Sequence, residues 1–129
     1  MDAKKKILIV DDEENFGKLV KLNLEDTGEY DVRVETLGAR AVPAAREFKP
    51  DFILLDIVMP DLDGGEVARL LKEDKELKII PLGFLTALVN DNEVSSQGEN
   101  IAGFPFIAKP VTVGQLITFI KRNIGGRER

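Results

Sequence analysis

The sequence contains no cysteine, no histidine and no tryptophan, and it has a single tyrosine among its 129 residues. Without cysteine, the chain forms no disulfide, has no catalytic thiol and builds no cysteine-type zinc site. Without histidine, it has no imidazole metal ligand, no Ser-His-Asp triad and no capacity to carry a phosphohistidine. Thiol and imidazole chemistry are therefore excluded from any function that the chain itself performs.

Long apolar runs and an excess of positive charge are also missing. No run approaches the ~20 residues of a membrane span. The basic start, residues 1–6, lacks the apolar segment and the small-residue cleavage site of a secretory signal. Lys and Arg total 18 against 23 Asp and Glu, so the net charge of −5 disfavours nucleic acid as a partner. We therefore expect a cytoplasmic protein that binds neither nucleic acid nor membrane.

The composition that remains is that of a soluble folded domain. Hydrophobic residues make up 43% of the chain and charged residues 32%. A chain of this length forms one domain and buries about two thirds of its surface, enough to fold without disulfides or metals. We predict a single domain over residues 1–129, with its core at about residues 5–124 and a tail or the start of a linker at 125–129.

Five apolar runs alternate with amphipathic segments. Residues 7–10 and 52–55 are continuous apolar runs, typical of strands buried on both faces of a parallel sheet. Residues 30–34 alternate apolar with polar side chains and suit an edge strand, and residues 82–85 and 104–108 form the last two runs. Strands alternating with helices predict an α/β fold with a parallel sheet and right-handed crossovers.

The amphipathic segments predict five helices. Pro43 indicates a kink or a late start in the second, at about residues 38–48. Asn, Ser and Gly residues predict a weak fourth helix at about residues 90–99, and Thr112 with Gln115 forms a capping box before the last helix. Residues at helical spacing predict the buried faces: Phe16, Leu19, Val20 and Leu24 in the first helix, Val67, Leu70 and Leu71 in the third, and Val113, Leu116, Ile117, Ile120 and Ile124 in the last.

Reactive side chains cluster where the predicted strands end. Asp11 and Asp12 follow the first strand, Asp56 ends the third, Thr86 ends the fourth and Lys109 follows the fifth. This edge of an open α/β sheet is where sites form. Three carboxylates that repel one another indicate a hard cation with oxygen ligands, and Mg²⁺ suits best. A carboxylate held by Mg²⁺ and facing a lysine has the chemistry to attack a phosphoryl group.

Each of these residues taken alone also has a simpler interpretation. Asp11 and Asp12 suit the start of the first helix, where they would cap it and favour its dipole. Asp56 suits a turn, Thr86 a strand and Lys109 a solvated surface. Their joint placement at four successive strand ends favours a shared site.

Four segments together resemble the receiver domain of two-component response regulators. They are residues 9–13 (IVDDE), 54–64 (LLDIVMPDLDG), 85–87 (LTA) and 106–110 (FIAKP), in order and at the spacing of that family. The resemblance covers about residues 5–124. It implies a flavodoxin-like three-layer αβα fold with five helices and a five-stranded parallel sheet in the order 2-1-3-4-5.

The resemblance also implies a phosphoacceptor and a metal site. Asp56 would accept the phosphoryl group. Asp12, Asp56 and the backbone carbonyl of Val58 would ligate Mg²⁺ directly, and Asp11 would act mainly through water. Because this chain has no histidine, the donor would be a histidine kinase, a phosphotransfer protein or a small molecule such as acetyl phosphate.

Further roles follow from the same resemblance. Lys109 would pair with the phosphoryl group, Thr86 would move to bond it, and Phe106 would be the aromatic switch residue that moves with Thr86. A cis peptide bond between Lys109 and Pro110 is expected. Phosphorylation would then alter a protein-interaction surface formed by the fourth helix, the fifth strand and the fifth helix.

Two features depart from the family pattern. Residues 90–103 lack the usual approach to the fifth strand, so the predicted output surface departs from the family pattern. Val58 and Leu88 are apolar where some receivers carry groups that orient water, so we expect slow autodephosphorylation. The chain would catalyse only this step and its own phosphorylation. We expect a monomer or weak dimer with an unknown downstream protein target, as a stand-alone receiver or one excised from a longer protein.

Two alternatives stay open at this point. A pseudo-receiver would use the same fold as a constitutive protein-binding module. A Mg²⁺-dependent phosphohydrolase would use an Asp-x-Asp motif, and Asp61 with Asp63 has that spacing, although the pair does not follow a buried strand directly.

Overall fold

Six strands and four α-helices are found in the computed structural model, which describes residues 3–87, 100–101 and 103–124. The strands are β1 (Lys5–Val10), β2 (Tyr30–Glu35), β3 (Phe52–Asp56), β4 (Leu82–Thr86), β5 (Asn100–Ile101) and β6 (Phe104–Ala108). The helices are α1 (Glu14–Asp26), α2 (Ala41–Phe48), α3 (Gly64–Glu73) and α4 (Val113–Ile124). The weak helix predicted at 90–99 and Leu88 lie outside the described residues. None of the helices described has the length and apolar character that a membrane crossing requires.

The strands form one sheet in the order β2-β1-β3-β4-β6-β5. The first five of these are parallel, which confirms the predicted order 2-1-3-4-5 with β6 as the fifth parallel strand. The two-residue β5 pairs antiparallel with β6 and was not predicted. Because neighbouring strands run in the same direction, the carboxyl ends of β1, β3, β4 and β6 lie along one edge of the sheet.

The central strands are buried on both faces, as their continuous apolar runs predict. Side chains alternate between two cores. One face carries Ile7, Ile9, Phe52 and Leu54 and packs on α1 and α4; the other carries Leu8, Val10, Ile53 and Leu55 and packs on α2 and α3. Helices on both faces of a parallel sheet make the three-layer αβα architecture expected from the sequence. Each fully buried Ile or Leu contributes roughly 1.5–3 kcal/mol through its removal from water.

The buried face of α1 differs from the prediction. Its buried residues are Gly17, Val20 and Leu24, whereas Leu19 is 56% exposed. The assignment of Leu19 to the buried face is wrong because the helix approaches the sheet through Gly17, which carries no hydrophobic signal in the sequence. Leu70 of α3 is likewise 37% exposed, against the prediction.

The predicted helix starts are confirmed. A 3₁₀ turn at Gly38–Arg40 precedes α2, so Pro43 falls in the first turn of the helix, where its missing N–H costs nothing. Before α4, the backbone N–H of Gln115 donates to Oγ1 of Thr112 at 3.0 Å, and the N–H of Thr112 donates to Oε1 of Gln115 at 2.9 Å. This is the reciprocal capping box.

Helix α1 covers the β2 edge of the sheet. β2 is an edge strand, as predicted, and its Val32 directs both backbone polar groups away from β1. Nζ of Lys21 donates to the Val32 carbonyl at 2.8 Å, and the Val32 N–H donates to Oε2 of Glu25 at 2.9 Å. The two side chains also pair with each other at 2.8 Å. They thus satisfy backbone groups that an open edge would offer to another strand.

Candidate functional site

Three carboxylates meet at the carboxyl edge of the sheet, where the sequence placed them. Asp11 and Asp12 follow β1 and Asp56 ends β3; one oxygen atom of each lies within 4.8 Å of the others. Asp11 and Asp56 are buried, and Asp12 is exposed. The N–H of Asp11 donates to the carbonyl of Glu35 at 2.9 Å, so the end of the β1–β2 ladder fixes its backbone.

Lys109 brings an ammonium group into the carboxylate cluster. Its backbone N–H donates to the carbonyl of Thr86 at 2.8 Å, and the peptide bond to Pro110 is cis, as the resemblance implied. Nζ lies 3.0 Å from Oδ2 of Asp11 and 3.9 Å from Oδ2 of Asp56. Burial favours the neutral amine, but hydrogen bonds and charge from the surrounding carboxylates, including Glu13, outweigh it and raise the pKa of Lys109 above its ordinary value.

The surroundings of Asp56 change its protonation. Burial and the negative charge of Asp11 raise the pKa of Asp56 from 3.8 to about 7, against the opposing effects of Lys109 and of the Val58 N–H. That N–H donates to Oδ1 of Asp56 at 3.3 Å. Near neutral pH and without a metal, Asp56 is therefore partly protonated, and a bound divalent cation would favour its ionised form.

This shift predicts a pH-dependent effect of Asp56→Asn on stability. The folded-state pKa lies above the unfolded value, so Asp56 costs the wild type stability as the pH rises from about 4 to about 7. We expect the variant to exceed the wild type in free energy of unfolding by about 1–2 kcal/mol at pH 8 without divalent metal, a figure discounted for solvent screening. At pH 5 the difference should fall to roughly 40% of its value at pH 8, because the cost accumulates between about pH 4 and about pH 7. Urea denaturation at both pH values measures it, and an equal difference at both would contradict the assignment.

The donor set at this edge fits a hard divalent cation. All three side chains offer carboxylate oxygens, which Mg²⁺ prefers, together with waters and phosphate. Oδ2 of Asp11 is buried and has an ion-pair contact with Lys109, but no hydrogen bond of good geometry within the described residues. A buried oxygen that accepts no hydrogen bond is suited to bind a cation, or a water molecule coordinated to a cation.

The other predicted site residues lie on β4, on β6 and in the segment that follows β3. Thr86 is buried at the end of β4, next to Ala108 of β6 in the parallel register. Phe106 is partly buried and packs against the core beneath α2 and α3. Val58, two residues after Asp56, is half-exposed, with 51% of its surface accessible.

The Asp-x-Asp alternative finds no support in the geometry. Both oxygens of Asp61 accept backbone N–H groups, from Gly38 and Ala39, each at 3.0 Å. These hydrogen bonds lower the pKa of Asp61. Asp63 caps α3 by accepting the N–H of Gly65 at 2.7 Å. Asp61 therefore joins the loop after β3 to the 3₁₀ turn before α2, and Asp63 caps α3. These structural roles do not favour a second nucleophile site.

Two residues at the site were not assigned to it from the sequence. Glu13 forms an ion pair through Oε1 with Nζ of Lys109, and the same ammonium lies 4.6 Å from the ring centroid of Phe16. Phe16 was assigned only to the buried face of the first helix. The available signal for Glu13 was its position as a third acid directly after Asp11 and Asp12.

Comparisons with known proteins indicate one family. The family model described as response regulator receiver domain matches residues 7–121. The polar-differentiation response regulator DivK of Brucella ovis is 38% identical over 123 residues, covering 94% of this chain and 97% of DivK.

Solved structures give the same result. The signal receiver domain of a histidine kinase from Syntrophus aciditrophicus is 34% identical, with a TM-score of 0.79 and coverage of 97% of this chain and 93% of that one. The chemotaxis protein CheY4 of Vibrio cholerae is 26% identical, with a TM-score of 0.80 and coverage of 94% and 99%. With the fold and a family match over most of its length, the chain belongs to the response regulator receiver domains of two-component signalling.

Proposed function

We propose that this receiver domain accepts a phosphoryl group on Asp56 in a Mg²⁺-dependent reaction and thereby switches a protein-interaction surface. The observation that carries the proposal is the position of Asp56. It is buried at the end of β3, with carboxylate oxygens of Asp11 and Asp12 within 4.8 Å and the Lys109 ammonium at 3.9 Å. This arrangement places the proposed nucleophile, the Asp56 carboxylate, beside two other carboxylates and one ammonium group.

The transfer uses the Asp56 carboxylate as nucleophile. One oxygen attacks the phosphorus of the donor and forms a new O–P bond, while the bond from phosphorus to the donor's nitrogen or oxygen breaks and its electron pair leaves with the donor. Mg²⁺ held by Asp12, Asp56 and the Val58 carbonyl, with Asp11 acting through water, would neutralise charge on the phosphoryl oxygens. Lys109 would pair with one of these oxygens.

A donor must supply the phosphoryl group to Asp56, because the chain has no histidine that could carry it. We propose a histidine kinase or a phosphotransfer protein as the donor, with acetyl phosphate as a small-molecule substitute. The hydroxyl of Thr86 would bond to the new phosphoryl group and Phe106 would follow its movement, which alters the surface offered to a downstream protein. We propose a monomer or weak dimer.

The only reactions proposed for the chain concern its own aspartate. Loss of the phosphoryl group requires water to attack phosphorus, releasing phosphate and restoring the carboxylate of Asp56. Val58 offers that water no polar side chain, which supports the proposal that autodephosphorylation is slow.

Intact mass after incubation with acetyl phosphate and Mg²⁺ tests the proposal. We expect one phosphoryl adduct, lost in Asp56→Asn and on adding a chelator. Asp63→Asn is the matched control, because asparagine keeps the cap on α3, and it should be phosphorylated like the wild type. Decay of the adduct over minutes or longer would support slow autodephosphorylation. A folded protein that forms no adduct and does not bind beryllofluoride would contradict the proposal and favour a constitutive binding module.

A further inference from the structure

Glu13 makes a contact that the proposed phosphorylation does not use. We infer that Glu13 is a positioning residue that holds Lys109 away from Asp56 and so slows uptake of the phosphoryl group. The inference rests on the proposed role of Asp56 as acceptor. It concerns the resting state of the site, before any phosphoryl group is bound.

The distances around the ammonium group show which carboxylates hold it. Nζ of Lys109 is in ion-pair contact with Oε1 of Glu13 and lies 3.0 Å from Oδ2 of Asp11. Its distance to Oδ2 of Asp56 is 3.9 Å, beyond hydrogen-bond range. The ammonium is thus bound more closely by two carboxylates that do not react than by the one that does.

The start of α1 reinforces this position. Phe16 lies three residues after Glu13, and its ring centroid is 4.6 Å from Nζ of Lys109. A cation at this distance from an aromatic face is attracted to it. Glu13 and Phe16 therefore favour the same placement of the ammonium, on the side of the site next to α1.

The Glu13 carboxylate competes with an arriving phosphoryl group for the Lys109 ammonium. Both are anionic and both need the ammonium of Lys109, whose side chain is 12% exposed. To pair with a phosphoryl oxygen on Asp56, the ammonium must give up at least part of its contact with Glu13. Because the Glu13 side chain is 61% exposed, solvent screens this contact, and it slows phosphoryl uptake only modestly.

The variant Glu13→Gln removes the competing charge with little change of shape. We expect it to take up the phosphoryl group from acetyl phosphate and Mg²⁺ about 2- to 5-fold faster than the wild type at subsaturating donor. The gain should come from a lower half-saturating concentration, because the ammonium is freed to bind the donor's phosphoryl group. Glu14→Gln is the matched control: it removes the same charge one residue away, from a carboxylate paired with Lys18 at 3.2 Å.

A second measurement examines the contact without phosphorylation. In metal-free protein, ¹⁵N NMR of the Lys109 ammonium reports how fast its protons exchange with water. We expect faster exchange in Glu13→Gln than in the wild type, and no change in Glu14→Gln.

The outcomes separate this inference from the proposed function. Should the wild type be phosphorylated while Glu13→Gln matches Glu14→Gln in rate and in ammonium exchange, the inference is wrong and the acceptor role of Asp56 stands. Absence of phosphorylation in all three proteins overturns both. Faster uptake and faster exchange confined to Glu13→Gln support the positioning role.

Discussion

Replacement of Gly64 by alanine is expected to lower the free energy of unfolding by about 3 kcal/mol, at the upper end of overpacking costs. A Cβ at this position would overlap the backbone oxygen of Asp56 and lie 2.7 Å from Cα of Ile57. Both obstructing atoms belong to the main chain, so no side-chain rotation relieves the overlap. The N–H of Gly64 also donates to the carbonyl of Ile57 at 2.8 Å, which fixes the approach of α3 to the end of β3.

Gly65 provides the matched control for this prediction. A Cβ there would meet only Oδ1 of Asp63, at 3.4 Å, an ordinary contact. Alanine at position 65 should leave stability unchanged or raise it by about 0.5–1 kcal/mol through better helix propensity. Urea denaturation of both variants measures their free energies of unfolding. Equal values would show that the backbone of Asp56 leaves room for a side chain at position 64.

The position of the site was predictable because parallel topology leaves little choice. Asp56 and Thr86 end neighbouring parallel strands, and Asp11 and Lys109 follow two others, so any sheet in this order brings the four residues to one edge. The apolar runs at β1 and β3 fix which segments are central strands. Strand identity and strand direction were therefore enough to assemble the cluster before any side-chain contact was known.

Side-chain contacts within the site were less predictable. The ion pair of Glu13 with Lys109 joins residues 96 positions apart in the sequence, and its geometry depends on how α1 enters from β1. Hydrophobic periodicity predicted Leu19 on the buried face of α1. The actual buried face includes Gly17, where the helix approaches the sheet, and a glycine contributes nothing to a hydrophobic pattern. The short β5 pairs with β6, and two residues are too few for a sequence pattern to predict a strand.

A second large effect is expected at Gly83, in the middle of β4. A Cβ at this position would lie 2.7 and 2.8 Å from two ring atoms of Phe119 and 3.1 Å from Cζ of Phe52. The two rings pack edge to face, with centroids 6.2 Å apart, so moving either ring disturbs this contact. We expect Gly83→Ala to lower the free energy of unfolding by about 2 kcal/mol.

Here the obstruction comes from side chains, so a second substitution should relieve it. Phe119→Leu alone should cost about 1 kcal/mol by loss of buried ring atoms, but combined with Gly83→Ala it makes room for the new methyl group. The double variant should then be about 1–2 kcal/mol more stable than the sum of the single effects predicts. Gly114→Ala, whose Cβ would meet only Oγ1 of Thr112 at 4.0 Å, should instead be additive with Phe119→Leu. Additive effects for Gly83 and Phe119 would mean that the fit between β4 and α4 does not depend on this ring, and that the glycine is needed for another reason.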